Sequence, residues 1–202
     1  MGDQKTLSKS YRSFALVLLT TVYGFNFIDR QIVGILAPAI QADLGLTNTQ
    51  LGLLMGFYFA AFYTCFAIPI AWLADRYSRV NILSIALATW SGFTALTGMA
   101  GNFMQMGFAR MGVGIGEAGG SPPSHSIISD MYPKEERAGA LGVYAMGIPL
   151  GIMAAYFATA LLSGSSGQNV DWRRIFIFLG VTGVVLAALV KLVLREPVRG
   201  AM

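Results

Sequence analysis

Charge is what this sequence has least of. Only 12% of its 202 residues are Asp, Glu, Lys or Arg, about half the share usual in soluble domains, so little of its surface is built for water. The side chains that carry most enzyme chemistry are scarcer still, with one histidine, His125, and one cysteine, Cys65. A single cysteine excludes an internal disulfide and a thiolate metal cluster. With no group of metal ligands and no serine beside a plausible base, the chain reads as a non-enzyme that needs neither metal nor cofactor. Cys65 lies in an apolar run and reads as a small core residue.

What fills the sequence instead is hydrophobic residues, at 55%. A membrane-spanning helix takes about 20 mostly apolar residues, and six such stretches occupy 13–36, 50–74, 80–99, 103–127, 138–162 and 174–194. Several show no polar face, which a soluble helix would need. The expected architecture is an all-α membrane protein, one six-helix bundle over residues 1–202. The breaks carry turn and charge chemistry: Gln41-Ala42-Asp43, Asp75 to Arg79, Gly101-Asn102, Asp130 to Arg137, and Ser163 to Arg173. None is long enough for a soluble domain.

Lys5, Lys9, Arg12, Arg76, Arg79, Lys134, Arg137, Lys191, Arg195 and Arg199 fall on one side of these spans, and only Arg173 and Arg174 on the other. By the positive-inside rule both termini are cytoplasmic, which requires an even number of spans. The net charge of +4 therefore reflects topology rather than a nucleic-acid partner. The short loops suit a bacterial inner membrane.

Four ionisable residues fall inside the spans: Asp29 and Arg30 in the first, Arg110 and Glu117 in the fourth. A charge at the bilayer centre costs roughly 2.5 kcal/mol or more, so all four are expected to face the bundle interior or an aqueous cavity. Arg110 and Glu117 share one helix face but lie about 10.5 Å apart along the axis, too far to pair well. Rise arithmetic sets Asp29, Arg30 and Arg110 in the outer half and Glu117 deeper. Pairing of Arg30 with Glu117, or of Asp29 with Arg110, is sterically open. Burial disfavours a charged carboxylate and a nearby guanidinium favours it, so carboxylates whose arginines move can load and release protons. Arginine keeps its charge, and its planar fork suits a substrate phosphate or carboxylate; Arg30 is the candidate for that contact. His125, near the end of its span, reads as an interfacial histidine.

Gly112, Gly116 and Gly120 recur every four residues, as do Gly147 and Gly151, giving faces on which backbones can approach. Pro122-Pro123 and Pro149 remove backbone donors and mark places that bend. The spans divide into two sets of three whose first members carry the buried charges, as in repeats that meet at a midplane site.

Several strings resemble the major facilitator superfamily. Ala71 to Arg79 is similar to its cytoplasmic loop signature, with Ala71 and Ser78 in place of glycines and the charges of Asp75, Arg76 and Arg79 intact. Arg110, Gly114 and Ala118 match a spacing in its fourth span, and Gly142, Gly147, Pro149 and Gly151 one in its fifth. The strings Asn26-Phe27-Ile28-Asp29-Arg30 and Gly112 to Ala118 resemble its Spinster branch.

The resemblance implies the N-terminal half of a twelve-helix fold, built of two inverted three-helix repeats and lacking its C-terminal bundle. It implies proton-linked movement of an amphipathic lipid, such as a lysophospholipid or a sphingosine phosphate, by alternating access. Asp29 and Glu117 are then the protonatable pair, Arg30 with Asn26 the substrate contacts, Arg110 a structural or coupling charge, and Asp75, Arg76 and Arg79 a cytoplasmic latch. Phe25, Phe57, Tyr58 and Met146 are open to a lipid-lining role or to plain packing. Two other readings stand beside it: a proton-coupled carrier of small organic anions, and a non-transporting membrane scaffold. The expected partners are the bilayer, the lipid substrate, protons and the other six helices, without which the chain is expected not to transport.

Overall fold

A computed structural model describes residues 8–162 and 171–200. Lys5 and the 163–170 part of the last expected break lie outside the described residues. Among the latter there are helices and no strand. Helix α1, Lys9–Leu44, starts on Ser8, whose hydroxyl accepts the Tyr11 N–H at 3.2 Å. It runs straight through Gln41-Ala42-Asp43, where a break was expected. The stop lies at Gly45, with φ of 60°, a left-handed cap that a residue without a Cβ adopts at low cost. Thr47 then opens the next helix in a capping box with Gln50.

The second span is composite: α2, Asn48–Gly52, a π-helical turn over Leu53–Phe57, and α3, Tyr58–Arg76. The third is α4, Arg79–Met99; the fourth is α5, Phe103–Glu117, followed by α6, Ser121–Met131; the fifth is α7, Lys134–Ala145, followed by α8, Gly147–Leu162; and the sixth is α9, Trp172–Val193. The prolines explain the two interruptions. Pro122 and Pro123 cannot donate to the carbonyls of Ala118 and Gly119, nor Pro149 to that of Ala145, and the α-helices break at 118–120 and at Met146.

Four of the spans are long and apolar enough to cross a membrane by length and composition alone: Asn48–Arg76, Arg79–Met99, Lys134–Leu161 and Trp172–Val193. The first is interrupted by Asn26, Asp29 and Arg30, which lower its hydropathy, and the fourth is split beside Glu117 into helices of 15 and 11 residues, each too short on its own.

Three of the helix contacts follow the pairing expected of two three-helix repeats. The first span packs on the fifth through α1 and α8, the fourth on the second through α5 and α3, and the third on the sixth through α4 and α9. Exchanging first with fourth, second with fifth and third with sixth maps this pattern onto itself. Where α1 crosses α8 the backbones nearly touch: a Cβ on Gly147 would lie 2.8 Å from the Thr20 carbonyl, and one on Gly151 would collide with Gly24.

Two polar clasps close the ends. Away from the basic end, the Asp43 carboxylate accepts from Arg173 at 2.8 Å and from the Trp172 indole at 3.2 Å, while Arg173 also donates to the Ala100 carbonyl. The outer surface is apolar, with Ile68, Leu161 and Leu192 among its exposed side chains, as a surface solvated by lipid requires. The second span is the least covered, its apolar stretch only 6% buried by the bundle. Cys65 lies on it and is exposed, which corrects the expectation of a core residue: an apolar run in a membrane helix need not face protein, because lipid accepts it equally well.

Candidate functional site

The buried charges of the first and fourth spans come together. Arg30 donates through Nε to the Glu117 carboxylate at 2.7 Å, with the Glu117 side chain wholly buried and that of Arg30 30% exposed. Sequence arithmetic had set Glu117 deeper. The extra turns of α1 beyond residue 36 bring Arg30 closer to that helix's midpoint, and its long stem covers the remaining offset.

Three rings enclose the Arg30 guanidinium, with centroids 5.4 Å away for Phe27, 5.1 Å for Phe59 and 4.9 Å for Tyr63, a cation–π setting that favours a desolvated cation. Gly114 makes this possible. A Cβ there would stand 2.7 Å from the Phe59 carbonyl, so only glycine lets α3 come close enough to α5 to carry Phe59 and Tyr63 to Arg30. Sequence reasoning missed the three aromatics. Phe27 stands three residues before Arg30, and Phe59 and Tyr63 four apart on one helix face, a spacing that was the available signal.

Asp29 and Arg110 are both buried, yet no ion pair joins them among the described residues. Arg110 lies 5.3 Å from the Phe59 ring centroid and shares the fields of Asp29 and Glu117. Asp29 faces Thr94 and Trp90 of α4 without closing a hydrogen bond to either. Asn26 is buried beside Glu117. The site thus holds two cations and two carboxylates in a nearly dry interior, and Arg30 is the member that keeps an opening.

The small residues of α5 set this geometry. A Cβ on Gly116 would sit 2.6 Å from the Trp90 backbone nitrogen, and one on Gly112 would clash with the Phe93 ring at 2.3 Å. The α4–α5 approach that holds Trp90 and Thr94 beside Asp29 therefore depends on them. Tyr144 of α7 stacks on Tyr23 at 4.4 Å, and His125 meets its edge at 5.1 Å. Of the apolar candidates, Phe25 is buried, Tyr58 partly so, and Phe57 and Met146 are exposed.

At the basic end the loop charges separate. Arg79, at the start of α4, is buried and donates to Glu196 at 2.7 Å, to the Ser126 hydroxyl at 2.9 Å, to the Pro197 carbonyl at 2.8 Å and to Asp130. Burial by itself would lift the proton affinity of Glu196. The Val80 N–H, Arg79 and the Ser78 hydroxyl outweigh it and hold that carboxyl below the ordinary range. Arg199 clamps the carbonyls of Ala74, Asp75 and Tyr77. Asp75 and Arg76 are exposed, Arg76 stacked 3.8 Å from the Trp72 ring centroid. Glu196 is a fourth residue that sequence reasoning did not single out, since its partners Ser78, Arg79 and Val80 lie more than a hundred positions away.

Among known proteins, the family model of the Major Facilitator Superfamily matches residues 19–201. The crystal structure of a bacterial homologue of the human lysosomal transporter Spinster, inward-facing and unoccupied, superposes with a TM-score of 0.91 at 38% identity, covering 96% of this chain and 45% of that one. An MFS-type efflux pump of Mycolicibacterium smegmatis is 35% identical over 183 residues, 90% of this chain and 42% of the relative. A Bacillus subtilis protein named "Probable galactarate/D-glucarate transporter" is 30% identical over 201 residues, 93% of this chain and 42% of its own length. The chain spans less than half the length of these relatives. With buried charges meeting between the first and fourth of six helices, and relatives that are transporters rather than enzymes, this chain belongs to the major facilitator superfamily, is Spinster-like, and corresponds to the N-terminal six-helix half of that fold.

Proposed function

We propose that this chain forms half of a proton-coupled secondary transporter that moves an amphipathic lysolipid by alternating access. The observation that carries the reading is the Arg30–Glu117 pair, dry on its carboxylate side and open on its guanidinium side. The four charges sum to zero. An anionic head group reaching Arg30 adds a negative charge, and the guanidinium fork turns toward it. Glu117 is then a buried carboxylate without its partner, which a low-dielectric site neutralises with a proton. Arrival of the anion and uptake of a proton are thereby one event, with Asp29 as the second acidic member and Arg110 as the fixed charge. The rings of Phe27, Phe59 and Tyr63 offer the apolar shoulder that an acyl chain next to its phosphate needs.

Under this reading the basic end faces the cytoplasm. Arg79 ties α4 to α6 and to the segment after α9, while the exposed Asp75 and Arg76 remain available to a second six-helix half as a latch. The other half of the site comes from that second bundle, and the protein works in a bacterial inner membrane.

The test is uptake of a labelled lysophospholipid into proteoliposomes under an imposed pH gradient, by a two-half transporter containing this chain. Gradient-driven uptake is expected, and Glu117→Gln should abolish its dependence on the gradient. Equal gradient-driven uptake by Glu117→Gln would overturn the assignment. Uptake of galactarate in place of lysolipid would establish the organic-anion reading instead, which the 30% identity to the B. subtilis protein favours. A scaffold would show neither.

A further inference from the structure

The third and sixth spans approach most closely from their middles toward the Arg173 end. A Cβ on Gly180 would lie 2.5 Å from the Ala95 backbone nitrogen, and Gly183 meets Ser91 just as tightly. Toward the basic end no glycine continues this approach, and a groove of about 450 Å³ opens between α4 and α9. Its walls are Ile85, Ala88, Val184 and Ala188, and its mouth is framed by Asn81 of the first turn of α4 and Lys191 of the last turn of α9. None of these residues contributes to the enclosure of Arg30.

Lys191 makes no ion pair with any carboxylate among the described residues. Its ammonium donates to the Asn81 side-chain oxygen, a neutral acceptor that leaves the positive charge uncompensated and two N–H groups unused. The Asn81 amide nitrogen adds two further donors. Glu196, bonded to the first residues of α4, is already committed to Arg79, Ser78 and the Val80 N–H. An apolar trough at membrane depth that ends in an uncompensated cation and an amide at the bilayer surface has the chemistry of a basic pocket for lipid head groups.

We infer that the α4–α9 groove binds one anionic phospholipid, its phosphate on Lys191 and Asn81 and an acyl chain along Ile85, Ala88, Val184 and Ala188. Charge selects the occupant. A zwitterionic lipid brings its own cation to a mouth that already has one, whereas an anionic lipid supplies the missing counterion. The inference does not depend on what the transporter moves.

Native mass spectrometry of the delipidated chain, titrated with phosphatidylglycerol and then with phosphatidylcholine of the same acyl chains, tests it. One saturable phosphatidylglycerol is expected, held about fivefold more tightly than phosphatidylcholine, the factor one lysine supplies at an anionic membrane surface. Lys191→Gln should erase that preference, Lys191→Arg should keep it, and Lys9→Gln, at the same end but outside the groove lining, should leave it unchanged. Ala188→Trp, which fills the trough, should remove the bound lipid of either kind, with an unchanged melting temperature showing that the bundle is intact. Inorganic phosphate at equal concentration should not displace the lipid. A preference that survives Lys191→Gln, one lost equally in Lys9→Gln, or displacement by free phosphate would each overturn the assignment; should Ala188→Trp unfold the bundle, the two lysine variants decide it.

Discussion

Replacing Arg79 with leucine should unfasten the basic end. The guanidinium reaches Asp130 and Ser126 of α6 and Glu196 and Pro197 of the segment after α9, from the first residue of α4. Its side chain is 1% exposed, while those of Asp130 and Glu196 are 15% and 32% exposed. Removing one member of a buried ion pair costs about 3–5 kcal/mol, because the partner is left buried and unpaired. Here both carboxylates retain some water, which sets the expectation at the lower end, about 3 kcal/mol. Arg79→Lys keeps the charge but not the planar fork, and an ammonium cannot reach all the partners on α6 and the tail at once. Losing one or two of its neutral hydrogen bonds should cost about 1–2 kcal/mol. Unfolding in mixed micelles with increasing SDS would measure both, and a double-mutant cycle of Arg79→Leu with Glu196→Leu should show a coupling of about 1 kcal/mol or more. Unchanged stability in Arg79→Leu, or strict additivity in the cycle, would mean that the clasp carries no energy and that the tail is held by other contacts.

The pH dependence of the same clasp has a fixed sign. Glu196 is held below the ordinary carboxylate range in the folded protein, so its contribution is complete above the unfolded value and fades as pH falls through the folded one. Stability followed from neutral pH downward should therefore decline on the acid side, and Glu196→Gln should flatten that part of the curve. Gly116→Leu should push α5 off Trp90, since a Cβ alone would already sit 2.6 Å from the Trp90 nitrogen. A loss of about 3 kcal/mol or outright failure to fold is expected, whereas Gly139→Leu, at an exposed position where a Cβ meets nothing within 4 Å, should be neutral in the same unfolding assay.

The membrane setting, the six spans, the family resemblance and the identity of the four intramembrane charges were legible in the linear sequence. These properties depend on local composition: a run of apolar residues is costly in water wherever it folds, and a charge within such a run is costly in lipid whatever its partner. Breaks were legible only in part. Gln41-Ala42-Asp43 looked like a stop but lies in helix, because polar residues tolerate a helix that has left the apolar zone, and the stop needed the left-handed Gly45.

Partnership was decided by tertiary structure. Two pairings were open to Arg30 and Asp29; Arg30 took Glu117, while Asp29 turned to Trp90 and Thr94 without an ion pair. The aromatic enclosure of Arg30, the division of Asp75 and Arg76 from Arg79, and the exposure of Cys65 likewise depend on which helix faces lie against each other. Those faces are chosen by close glycine contacts between residues as distant as Gly24 and Gly151. Helical periodicity states which residues share a face, but only packing, which is steric and non-local, states what that face meets.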